Sequence, residues 1–85
     1  MPRVIIECEQ GNTGCAHGHK KGDRIVVDRT RMTGDICLSA FYSMYYMIYA
    51  LKTGAKLSYA DQEGKVSACC CDVDNLVTFK LWAED

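Results

Sequence analysis

The chain has 85 residues, of which 48 % are hydrophobic, with a formal net charge of -1 and six cysteines. Near-neutral charge with interleaved signs excludes an electrostatic footprint for nucleic acid or an anionic membrane, and the apolar content argues against disorder. A single domain is expected over residues 1–85, and at this size it buries only about 60–65 % of its unfolded surface, so a metal, a disulfide or a partner is a reasonable source of extra stability.

From the N-terminus, RVIIECE (Arg3 to Glu9) is β-branched and half alternating, which predicts a strand with Val4, Ile6 and Cys8 on one face. Cys8 then reads as a small core hydrophobe, since free cysteine is among the most buried residue types. The start MPRVIIECEQ has no long apolar run. A secretory signal is therefore not expected, and the chain reads as cytoplasmic, where thiols stay reduced and clustered cysteines more often mean metal or redox chemistry than bridges.

The stretch GNTGCAHGHKKGD, residues 11–23, is too polar and glycine-rich for core. Cys15, His17 and His19 recur at every second position. An extended backbone aims all three the same way, whereas a turn brings Cys15 and His19 together and releases His17. Next, GDRIVVDR predicts a second strand opened by a Gly-Asp turn and ended by Asp28.

The strongest local signal is the run from Ile36 to Lys52, free of glycine and proline, with Thr33 or Asp35 available as an N-terminal cap and Gly54 where a left-handed C-terminal cap belongs. One helix of about five turns is predicted. Cys37, Phe41, Met44, Ile48 and Leu51 form an apolar stripe that Tyr42, Tyr45, Tyr46 and Tyr49 widen. With the cap at Asp35, Cys37 falls in the first turn, where free N–H groups and the positive end of the macrodipole favour thiolate. The segment is too short to span a bilayer.

KLSYA suggests a short edge strand, and KVSACCC and LVTFKLW predict a hairpin across the turn-forming DVDN. Alternation puts Val66, Ala68 and Cys70 on one face and Ser67, Cys69 and Cys71 on the other, with Val77, Phe79 and Leu81 alternating in the last run. The expected fold is α+β, a small, mostly antiparallel sheet of about four strands packed on one long central helix. Consecutive Cys69, Cys70 and Cys71 fit a disulfide framework poorly, although bridges from them to Cys8, Cys15 and Cys37 are arithmetically possible. The residues alone leave open which of the three joins a site with the loop and the helix start.

The pattern Cys15-x-x-Gly18-His19-Lys20-x-Gly22-Asp23, then Gly34-x-Ile36-Cys37-x-x-Ala40-Phe41, then Ala50-Leu51 with Gly54, resembles a family of small prokaryotic proteins that has no established activity. That family ends in a Cys-Pro-Asp-Pro-like turn and an alternating strand. The corresponding stretch here is Cys70-Cys71-Asp72-Val73-Asp74-Asn75 followed by Val77 to Leu81, which lacks both prolines. The resemblance runs from Cys15 to Leu81 and implies Cys15, His19, Cys37 and Cys70 as the matching positions. Three cysteines and a histidine form the ligand set of a closed tetrahedral site.

The first expected function is thus a metal-binding domain holding Zn²⁺, or iron in an iron–sulfur cluster, through Cys15, His19, Cys37 and Cys70. The second is a thiol redox or catalytic protein with Cys37 as the low-pKa thiolate, His19 its partner and Cys15 or Cys70 the resolving thiol. The third is a non-enzymatic interaction module. Hydrolase and nucleotide-binding chemistry have no residues to rest on. A homodimer through the tyrosine-rich helix is expected, because one small sheet cannot cover a helix apolar on most of its circumference.

Overall fold

The computed structural model describes residues 2–84. Among them are five strands, β1 (Arg3–Gln10), β2 (Arg24–Asp28), β3 (Arg31–Thr33), β4 (Val66–Cys69) and β5 (Thr78–Glu84), one helix, α1 (Leu38–Lys52), and a 3₁₀ turn at Val73–Asn75. The strands form one sheet in the order β3-β2-β1-β5-β4, with every neighbouring pair antiparallel. The α+β class and the antiparallel sheet agree with expectation.

Three elements differ from it. The sheet has five strands rather than about four, because Arg31–Thr33 pairs with β2 across a two-residue turn. KLSYA forms turns instead of an edge strand. The helix has 15 residues, about four turns, and begins at Leu38 with Cys37 as its N-cap residue, so neither Thr33 nor Asp35 caps it.

Alternation sends Val4, Ile6 and Cys8 of β1, Ile25 and Val27 of β2, Val66 of β4, and Phe79 and Leu81 of β5 to one face, joined by Val77 just before β5. On this face the helix lays Ala40, Met44, Met47, Ile48 and Leu51, a single stripe at helical spacing. The helix stops in a Schellman arrangement, with Gly54 N–H donating to Leu51 O at 3.1 Å and Ala55 N–H to Ala50 O at 3.0 Å. This requires the positive φ of 89° that Gly54 takes. The opposite face of the sheet is polar except around buried Ile5, whose cross-strand neighbour Trp82 lies under Lys65 and Arg24, 4.5 and 5.4 Å from its ring centroid.

No helix among the described residues is long and apolar enough to cross a membrane. Tyr42, Tyr45, Tyr46 and Tyr49 lie on the helix's outer surface, and Tyr42 is 84 % exposed.

Candidate thiol cleft

The polar loop after β1 is fixed by backbone bonds. Cys8 N–H donates to Asp23 O at 2.8 Å and Gly22 N–H to Cys8 O at 2.9 Å, which carries the strand pairing past the end of β2 and pinches residues 11–21 into a closed lobe. Gly11 is required at its neck, since a Cβ there would stand 2.6 Å from the His19 carbonyl oxygen. Inside the lobe Gly18 N–H donates to Cys15 O at 3.1 Å, closing a turn in which Gly18 takes φ 84°. The turn gathers backbone N–H groups around the Cys15 sulfur. That of His19, ahead of those of Gly18 and His17, holds the Cys15 thiol below its ordinary range, against an opposing push from burial and from the Asp72 carboxylate.

His19 is buried, with 4 % of its surface exposed, and its ring meets Phe79 edge-on at 5.3 Å. Its Nε2 accepts the Cys37 N–H at 3.0 Å, so the ring proton sits on Nδ1, which faces Asp23 Oδ2 at 3.7 Å. Burial, helped by neighbouring His17, pushes the His19 pKa down and keeps the ring neutral, while Asp23 pulls the other way. His19 therefore satisfies the N–H of the N-cap residue, the group that a Glu or Gln at the third helical position reaches in a capping box. The structure thus adds a role at His19 that spacing did not suggest. Its partner lies 18 residues away and leaves no sequence signal.

His17 stacks on His19 with centroids 4.4 Å apart, and its Nε2 lies 3.1 Å from Asp35 Oδ2. Asp35 is thus the partner of a loop histidine, a pairing that sequence reasoning missed.

Cys70 follows β4 and faces inward, as alternation predicts, whereas Cys69 and Cys71 are exposed. Its N–H donates to Val77 O at 3.0 Å, and the Val77 N–H lies 3.3 Å from its sulfur. The intervening turn is held by Asp72, whose carboxylate accepts Asp74 N–H at 3.2 Å. Cys70 is accordingly wrapped by its own loop, in the manner of Cys15.

A cavity of about 160 Å³ joins these parts. Cys15, His17 and His19 of the loop, Cys37, Ser39 and Ala40 of the helix start, and Cys70 and Cys71 after β4 all line it. All four expected positions, Cys15, His19, Cys37 and Cys70, thus border one cleft, and His17 and Cys71 join them. The free N–H groups of the helix's first turn add a positive end to its wall. Among the described residues, no three His, Cys, Asp or Glu side chains stand close enough to hold one metal ion as they are placed. All six cysteines are free, and Cys8 is a core residue whose thiol is pushed up by burial first and by Asp23 second.

Comparison with protein-family models, with curated proteins and with solved structures finds no match for the chain. What the cleft can do rests on its own residues.

Proposed function

We propose that the cleft binds a thiophilic metal, zinc or iron, through Cys15, Cys37 and Cys70, with His19 as the fourth donor. The observation that carries this is the convergence of three cysteines from three separate chain segments on one small cavity. Cysteine thiolate and neutral imidazole are the donors both metals accept, and four of them suit a closed tetrahedral site. The backbone N–H groups around Cys15 favour its sulfur as the anion, the form that ligates. His19 is already neutral, and binding through Nε2 exchanges the Cys37 N–H for the metal. Its Nδ1–H keeps Asp23 as an outer partner that fixes the ring, the usual arrangement behind a histidine ligand. Metal analysis of untagged protein, with an absorption spectrum to separate zinc from iron, tests this. One metal per chain is expected, retained in Cys69→Ser and held more weakly in Cys37→Ser; protein that is fully folded, metal-free and indifferent to added zinc or iron overturns it.

A second reading, thiol redox chemistry, draws on the same backbone donors. They move the expected nucleophile from Cys37 to Cys15, with Cys37 or Cys70 across the cleft as the resolving thiol. The exposed tyrosines support a homodimer through the outer face of α1. Light scattering at micromolar concentration checks it, and a clean 9.5 kDa species removes it.

A further inference from the structure

Between the β2–β3 turn and the helix lies a second cavity, of about 420 Å³, that shares no residue with the thiol cleft. Its apolar side is built from Ile48, which is buried, and from Phe41 and Tyr45, whose rings tilt against each other with centroids 5.5 Å apart. Its other side carries Arg29, Arg31 and Lys52, and among the described residues no carboxylate lines it. Three cations in one groove are unusual on a chain of net charge -1.

Elsewhere the arginines are matched. Arg24 meets Glu7 at 2.6 Å and Arg3 meets Glu84 at 3.8 Å, whereas neither Arg29 nor Arg31 has a carboxylate partner among the described residues. The Lys52 ammonium donates to the Arg29 carbonyl at 2.9 Å and ties the turn to the end of the helix. Arg29 also has φ 59°, the one positive value outside glycine among the described residues. A two-residue hairpin turn takes Gly or Asn at such a position with less strain. The chain thus keeps an arginine beside the groove in a backbone conformation that arginine does not favour.

We propose that this groove binds a small aromatic carboxylate, its ring on Phe41 and Tyr45 and its carboxylate drawn by the cations that line the groove, Arg29, Arg31 and Lys52. The volume lies within the range of small-molecule sites, which are mainly apolar with a few convergent polar groups. Planar guanidinium forks match a carboxylate better than a point charge does.

Titration with 2-naphthoate, followed by amide chemical shifts, tests the proposal. Saturable binding is expected with a Kd on the order of 1 mM or tighter, and with shifts centred on residues 29–32, 41, 45 and 52. The uncharged 2-naphthalenemethanol binds about tenfold more weakly, and inorganic phosphate alone gives no saturable shift in the same concentration range. Arg31→Gln weakens naphthoate by roughly three- to tenfold. Arg29→Asn does the same while raising the melting temperature, because asparagine tolerates the left-handed conformation. Equal affinity for the neutral probe, equal affinity for phosphate, shifts centred on Tyr42 and Tyr46 instead, or naphthoate binding untouched by both substitutions overturns the proposal.

Discussion

Cys8 and Cys15 belong to adjoining segments and meet opposite environments. In β1 the thiol of Cys8 is sealed in the core and pushed up by burial, with only the Gln10 N–H working the other way. In the loop, Cys15 is half-buried and held down by the N–H groups of His19, Gly18 and His17. The difference lies in what the backbone does with its donors. A strand directs its N–H groups to its neighbours, as Cys8 N–H to Asp23 O, whereas the turn at Gly18 collects them around a sulfur. Thiol chemistry in this chain thus follows backbone path rather than cysteine count.

The largest break in that contrast removes the floor both segments share. Phe79 is wholly buried, pairs in register with Cys8 and meets the His19 ring. Phe79→Ala is expected to cost about 3–5 kcal/mol, measured as a fall in the denaturation midpoint. Cys8→Ser buries a hydroxyl where a sulfur packed and costs about 1–3 kcal/mol. In the metal-free protein Cys15→Ser stays within about 0.5 kcal/mol. Equal losses at the two sites contradict the distinction.

The next effect is one of pH. Burial depresses the His19 pKa from its ordinary 6.5. As pH falls below that value the unfolded chain takes up a proton that the folded chain refuses, so this contribution is full above about pH 6.5 and is lost toward acid. Stability of the metal-free protein should therefore decline from about pH 7 to pH 5, with a shallower slope in His19→Gln, whose amide oxygen still accepts the Cys37 N–H. An unchanged slope contradicts the assignment. The smallest effect is on labelling: Cys15 alkylates ahead of the other thiols, with a midpoint below the ordinary 9.0, and Cys8 stays unlabelled until the protein unfolds.

Much of this was legible in the sequence where burial imposes a period. The inward set Val66, Ala68 and Cys70, the alternation of Val77, Phe79 and Leu81, and the stripe through Met44, Ile48 and Leu51 all follow from one face meeting a core. β3 was not legible, because Arg31, Met32 and Thr33 are all exposed and only hydrogen bonding to β2 makes them a strand. KLSYA misleads for the converse reason. It has β-forming residues, but the chain there turns. The loop, helix start and strand end could each be named from their cysteines. The Cys37 N–H to His19 bond and the His17 contact with Asp35 join residues 18 apart in sequence and exist only once the loop folds over the helix start.

The central claim is that three thiols of the cleft share one metal. Cobalt(II) titration of metal-free protein addresses it most directly, since sulfur-to-cobalt charge-transfer absorption reports thiolate ligation. The account predicts saturation at one cobalt per chain, displacement by zinc, a loss of one thiolate's share of intensity in each of Cys15→Ser, Cys37→Ser and Cys70→Ser, and no change in Cys69→Ser or Cys71→Ser. Absorption that never develops, or that survives all three cleft substitutions, contradicts it.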